Sequence, residues 1–354
     1  MKHSLMAGIH HLRVRPYVGG LLMMTVLSGC GGSDDDSLSA SSASSSSSIS
    51  SAQRVQAATA TAQNNAACSA IQPFYWEVGD KAGALASASV GGNTPNANTT
   101  MLIASASKWM FGAYVVELRA GQLTADDIAA LTMRTGYTHL NYSRCLTTAT
   151  VGECSSAAHL LDAYSNDSLE PNYVGKFYYN GGHFQKYAAS TLGLAGNINA
   201  TLKTSIANQI GLDFSFAYDS PQLAAGISTS AADYAFFLRK ILNNQLRMYS
   251  ALGSNAVCTN PTVCPTAAVS TPIPTTESWH YSLGHWVEDD ASVGDGAFSS
   301  PGAFGFYPWI DAGKTYYGIV ARYAVPGLIG DSVAVDSVNC GRLIRKAWTS
   351  GAQQ

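Results

Sequence analysis

The run Ser105-Ala106-Ser107-Lys108 carries the clearest chemistry in the chain. Residues three apart on a helix share a face, so the Ser105 hydroxyl and the Lys108 amine can meet within hydrogen-bonding distance. A serine hydroxyl needs a base before it can act as a nucleophile. A lysine becomes that base when burial lowers its pKa enough to leave it neutral. A helix start adds backbone N–H groups and a partial positive charge for a developing anion. The bland alternative for this pattern is a capping serine followed by a surface lysine.

The surrounding sequence predicts the elements that must hold this pair. Pro73–Val78 alternates and is aromatic, and Ala84–Val90 follows a Gly-rich turn, so an antiparallel hairpin precedes Ser105. From Ser105 to Arg119 the pattern is helical, with Trp109, Tyr114, Val115 and Leu118 on an apolar side and Gly121 past the end. Further helices are expected from Thr124, from Gly181 to Leu192, from Ser228 to Leu242 and over Val333–Thr349. Strands are expected over His280–Val287, Ala303–Ile310 and Thr315–Tyr323, while 136–175 is rich in Tyr, Asn and Ser and has no clear period. A hairpin, then helices, then a run of strands and a closing helix predicts an α+β fold, an antiparallel sheet flanked by helices, with a mainly helical lobe.

Residues 1–29 are expected to be an export signal: Lys2, Arg13 and Arg15 precede the short apolar run Val18–Leu27, which is too short for a stable transmembrane anchor. Leu27-Ser28-Gly29-Cys30 resembles a bacterial lipobox, which implies lipidation of Cys30 and anchoring to a membrane without a spanning helix. Gly31 as the next residue points toward an outer membrane, facing the periplasm or the exterior. Residues 30–65 are Ser/Ala-rich with no aromatic residue, which predicts a flexible tether; 66–354 is then the folded domain. The net charge of −3 gives no electrostatic case for nucleic acid. Beyond Cys30, six cysteines remain, an even number that reads as disulfides in an exported chain. Close spacing suggests Cys145–Cys154 and Cys258–Cys264, leaving Cys68–Cys340 to join the ends of the domain. No CxxC, HExxH or HxH spacing occurs, so neither a metal nor another cofactor is expected. No GxSxG elbow occurs either, which disfavours an α/β-hydrolase.

The context of Ser105 and Lys108 resembles the serine β-lactamase and penicillin-binding superfamily, especially its class C-like branch with esterases and D-amino-acid peptidases. Further motifs follow in the family's order. Phe177-Tyr178-Tyr179-Asn180-Gly181-Gly182 is similar to the family's Tyr-x-Asn motif, with Tyr178 and Asn180 in the two roles. Ala225–Asp233 resembles a Gly-x-x-Ser-Thr-x-x-Asp helix entry, Tyr281–Gly284 the strand before the last motif, and Leu131–Gly136 a degraded Leu-x-x-His-Thr-Ser-Gly.

The third motif departs from the family. In place of Lys-Thr-Gly or His-x-Gly the chain has Ser300-Pro301-Gly302, so Ser300 and Gly302 stand at the substrate-binding triplet without a cation. The resemblance implies an oxyanion hole made by the N–H groups of Ser105 and Ala303, which does not depend on side chains. It also implies acyl transfer through Ser105, with Lys108 coupled to Tyr178 and with Asn180 orienting Lys108 or a substrate carbonyl. Three readings follow: a hydrolase of small esters, amides or peptides; a β-lactamase or DD-carboxypeptidase; and a surface-tethered binder that keeps the fold. The missing cation favours the first over the second, and the retention of all four residues argues against the third. His183 is expected to be a packing residue, His280 and His285 to lie on opposite faces of one strand, and Glu288-Asp289-Asp290 to form a solvated loop.

Overall fold

The structure, a computed structural model, describes residues 49–325 and 333–354. The expected export signal and Cys30 lie outside the described residues. In chain order the elements are α1 (Ser51–Asn64), α2 (Ala66–Ser69), β1 (Phe74–Asp80), β2 (Ala84–Val90), β3 (Met101–Leu102), α3 (Ser107–Leu118), α4 (Ala125–Leu131), α5 (Tyr142–Cys145) and α6 (Val151–Ser156). Then come β4 (Phe177–Tyr178), α7 (Gly182–Ser190), α8 (Asn199–Ile210), β5 (Phe216–Tyr218), β6 (Ile227–Thr229), α9 (Ala231–Leu242) and α10 (Met248–Ala251). The C-terminal third holds β7 (Val257–Cys258), β8 (Ala268–Ser270), β9 (His280–Tyr281), β10 (Trp286–Glu288), β11 (Ala297–Ser299), β12 (Tyr307–Ile310), β13 (Tyr316–Ala321) and α11 (Val333–Ser350).

An eight-stranded antiparallel sheet in the order β2-β1-β13-β12-β11-β10-β9-β7 forms the centre. The N-terminal hairpin joins the C-terminal strands through β1 and β13, in the register Trp76↔Val320 and Val78↔Gly318. Successive side chains of β13 point to opposite faces. Tyr316 and Val320 meet Trp348 and Gly341 of α11, whereas the Tyr317 hydroxyl accepts from Arg239 of α9 on the other side. The sheet is therefore covered on both faces, and the fold is α+β. All six tryptophans are buried in or beside it. Disulfides join Cys68 to Cys340, Cys145 to Cys154 and Cys258 to Cys264.

Three expectations are corrected. First, the tether expected over 30–65 does not extend through its second half, because residues 51–64 form α1. Ser50 and Gln53 make a reciprocal capping box, and buried Ala57, Ala58, Thr61 and Ala62 pack this helix on its neighbours. Arg54 donates to the carbonyls of Trp348 and Thr349, which α11 leaves unpaired at its end. Small residues read as low complexity but allow close helix packing. Second, His280–Val287 is not one strand. Ser282–His285 turns between β9 and β10, so His280 lies in β9 and His285 in the turn of a hairpin. Third, Glu288 is not in a solvated loop. It ends β10 fully buried, accepts from Tyr307 and Arg345, and shares Arg345 with Asp295.

Candidate active site

Strand β3 pairs with β6 and carries the chain to Ala104, whose φ of 45° lies in the left-handed region. A residue with a Cβ pays on the order of 1–3 kcal/mol for such a conformation, which survives only where its surroundings enforce it. Ala104 is buried, and the strained residue immediately precedes Ser105. A single 3₁₀ turn, Ala104–Ala106, then opens into α3. Two hydrogen bonds fix that turn: Ile227 N–H donates to Ser107 Oγ, and the Tyr234 hydroxyl donates to the Ala106 carbonyl.

Ser105 is half-buried and Lys108 fully buried. Lys108 Nζ lies 2.9 Å from Ser105 Oγ and 2.9 Å from the Ala224 carbonyl. It takes part in no ion pair among the described residues. Burial without a counter-charge lowers its pKa from 10.5 to about 7. The backing is tight. A Cβ on Gly112 would stand 2.3 Å from the Leu283 carbonyl oxygen, and one on Gly284 2.5 Å from that of Lys108. Only glycine at both places lets the β9–β10 turn press against α3 behind the lysine.

The third member of the site is Tyr179, and this corrects the expectation of Tyr178. The Tyr179 side chain lines the Ser105 cavity and stacks on Trp286, its ring lies 4.9 Å from Lys108 Nζ, and burial raises its pKa. Tyr178 points the other way: it stacks on Tyr173, and its carbonyl oxygen is 3.0 Å from His183 Nε2. The cause is strand alternation. Phe177 and Tyr179 share the face that meets Tyr281 and Trp286, so the residue between them cannot reach Ser105. That alternation was the available signal, and the Tyr-x-Asn spacing overrode it. Asn180 also differs from expectation. Its Oδ1 accepts from Leu140 N–H and Gly182 N–H, clamping the 140 segment to the start of α7, and no hydrogen bond joins it to Lys108. His183 is a buried packing residue held by Thr135 and Tyr178, and burial lowers its pKa to about 3.

The Ser300-Pro301-Gly302 triplet extends β11 past Ser105. Ser300 Oγ donates to the Ser105 carbonyl, so its side chain braces the backbone of Ser105. Gly302 N–H donates to the Phe306 carbonyl, and a Cβ there would meet the Ile103 carbonyl oxygen at 2.1 Å. Glycine is therefore needed for the triplet to lie against the backbone at Ile103, two residues before Ser105. Ala303 is exposed, and its N–H donates to no backbone carbonyl among the described residues. Ser105, Tyr179, Trp286 and Ala303 share a cavity of about 290 Å³ with Pro272, Ile273, Pro301 and, from α11, Ala334, Val335 and Val338. Among the described residues its lining holds no Lys, Arg, His, Asp or Glu. Three larger hollows, of about 730, 750 and 420 Å³, lie elsewhere, and none reaches Ser105 or Lys108. Chemistry rather than size marks the site.

Comparison with known proteins fits this geometry. No family model matches the sequence, and no curated protein is significantly similar to it. Solved structures do resemble it. A D-stereospecific amidohydrolase from Streptomyces sp. matches with a TM-score of 0.54 at 13% identity, over 86% of this chain and 99% of that one. EstCE1, a hydrolase with promiscuous acyltransferase activity, matches with a TM-score of 0.53 at 12% identity, over 83% and 99%. The octameric penicillin-binding protein homologue from Pyrococcus abyssi matches with a TM-score of 0.53 at 13% identity, over 79% and 74%. The chain has the β-lactamase-like fold. Within that fold the segment Leu131–Gly136 has a backbone role. The Met133 carbonyl accepts from Tyr178 N–H, and the Leu131 carbonyl accepts from Gly284 N–H. These two main-chain bonds tie the Leu131–Gly136 segment to Tyr178 and to the β9–β10 turn beside Lys108.

Proposed function

We propose that this chain is a serine hydrolase of the SxxK type, acting through an acyl-enzyme on Ser105 toward an uncharged ester or amide. The observation that carries the reading is the buried Lys108, 2.9 Å from Ser105 Oγ, with no counter-ion and a pKa lowered to about 7. In its neutral form Lys108 Nζ accepts the Ser105 proton as Oγ bonds to the substrate carbonyl carbon. The carbonyl electron pair moves to oxygen, where the N–H groups of Ser105 and Ala303 stabilise it. The C–O or C–N bond to the leaving group then breaks, and the leaving group takes the proton back from Lys108, with Tyr179 bridging. Water, deprotonated by the same groups, releases the acid and frees Ser105.

The apolar lining of the cavity and the absence of a cation at Ser300-Pro301-Gly302 favour a substrate without a carboxylate. The amidohydrolase and the EstCE1 hydrolase among the structural neighbours fit an ester or amide substrate. We also read the chain as exported and held on a membrane by a lipid on Cys30; finding a Cys30→Ser variant still in the membrane fraction would refute that anchor.

Intact mass after exposure to a fluorophosphonate and, separately, to a penicillin tests the catalytic reading. One adduct on Ser105 from the fluorophosphonate, with none from the penicillin, is the expected result. A stable penicilloyl adduct, or rapid penicillin turnover, would replace the reading with a β-lactamase or carboxypeptidase. Labelling by neither would leave a binding role.

A further inference from the structure

Tyr179 is held from outside the catalytic framework, by a segment that leaves the main sheet. Strands β7 and β9 are neighbours, paired Val257↔Tyr281 and Cys258↔His280. Between them residues 259–279 make an excursion whose base is tied down. Thr259 Oγ1 donates to the Trp279 carbonyl, and buried Asn260 donates to the carbonyls of Thr275 and Glu277. In its middle, β8 forms a separate two-stranded parallel pair with β4. Through this pair the Ala267 carbonyl accepts Phe177 N–H at 2.7 Å, and the Ser270 carbonyl accepts Tyr179 N–H at 3.0 Å. Two residues later, Pro272 and Ile273 enter the wall of the Ser105 cavity.

The disulfide Cys258–Cys264 anchors this arm. Cys258 is part of the sheet edge, and the Cys264 carbonyl accepts the N–H groups of both Ala267 and Ala268 at 2.9 Å. A continuous chain of restraints therefore runs from the main sheet through the disulfide to Cys264, then to Ala267 and Ser270, and on to the backbone of Tyr179. The three disulfides differ in accessibility. Cys68, Cys340, Cys145 and Cys154 are fully buried, whereas Cys258 and Cys264 are both partly exposed. Thiol exchange needs access to a sulfur, so a reductant reaches this bond first.

We infer that Cys258–Cys264 is a reducible restraint on Tyr179, whose opening slows acylation of Ser105 while the rest of the fold persists. An external dithiol supplies the two electrons. Its thiolate attacks one sulfur of the bond and forms a mixed disulfide. Its second thiol displaces that sulfur, leaving two protein thiols and the oxidised dithiol. The inference rests on the hydrolase reading of Ser105 for its effect on rate, and on backbone pairing alone for its effect on Tyr179.

The test treats the full oxidised chain with increasing dithiothreitol. Freed thiols are trapped and mapped by mass, the rate of fluorophosphonate labelling is measured, and hydrogen exchange is followed at the Phe177 and Tyr179 amides. Cys258 and Cys264 should be trapped before any other cysteine, and both amides should lose protection at that stage. Labelling should slow by about tenfold or more, since a displacement on the order of 1 Å near reacting atoms can cost about 10²-fold. A Cys258→Ser/Cys264→Ser variant should behave as the reduced protein does. Unchanged protection at Tyr179 with both thiols free, or earlier opening of another disulfide, would overturn the inference. So would loss of protection without any slowing of a labelled enzyme. If the oxidised protein is never labelled, the hydrolase reading fails, and the amide exchange still decides whether the restraint exists.

Discussion

Two cations are buried in this molecule with opposite consequences. Arg345, in α11, is enclosed by Glu288, Asp295 and the Tyr307 hydroxyl, with contacts of 2.6 to 2.9 Å. Those carboxylates outweigh desolvation and hold its pKa above the ordinary value. Lys108, in α3, is surrounded by neutral oxygens, and desolvation alone lowers its pKa to about 7. Burial with counter-charges locks α11 to β10 and β12. Burial without them leaves an amine able to lose its proton near neutral pH, which is what activation of Ser105 requires. The same physical cost thus gives structure in one place and reactivity in the other.

The strongest way to break this comparison is to make the two sites alike. Lys108→Arg keeps the charge but cannot give up its proton, so Ser105 labelling should fall by about 10²–10⁴-fold in a folded protein. Retention of wild-type labelling would mean that Lys108 is not the base. Arg345→Met leaves buried Glu288 with only the more distant Arg342, 3.5 Å away, and should lower unfolding stability by about 3–5 kcal/mol in a denaturant titration. The pH at which Ser105 becomes reactive should not move in that variant, and a shift would show that the two sites are coupled. Tyr179→Phe should slow labelling about ten- to a hundredfold, because the buried hydroxyl that shares the cavity with Ser105 is lost. Tyr178→Phe should stay within about twofold; the reverse order of effects would restore the sequence-based choice.

The pH dependence of stability gives the most specific signal. Between about pH 7 and 10.5 the unfolded chain binds a proton on Lys108 that the folded chain does not, so this group makes stability rise with pH across that window. The rise should be absent from the stability-versus-pH curve of Lys108→Met, and its persistence there would assign it to another group.

What the sequence made legible follows from the range of each signal. Ser105 and Lys108 sit three residues apart on one helix, and the cysteine pairs were constrained by their number and spacing, so these were within reach. The hairpin β1–β2 and the helix α9, capped by Ser230, were also marked by local pattern. The choice between Tyr178 and Tyr179 required knowing which face of a two-residue strand meets Trp286, a contact across about a hundred residues. Helix α1 was hidden because its stabilising contacts lie with α11, at the far end of the chain. Glu288 looked solvated among other acids because Arg345, which neutralises it, is remote in sequence. Nothing local distinguishes an acid that will be paired from one that will not.

The most direct test is the second-order rate of fluorophosphonate reaction with Ser105, followed by intact mass from pH 5 to 9 at constant ionic strength. The free-base fraction of Lys108 grows as pH rises, so the rate should increase about tenfold per unit below the transition and level off above an apparent pKa near 7. A rate flat across that range, or one still climbing toward the ordinary lysine pKa of 10.5, would contradict the account of Lys108 as a base made neutral by burial.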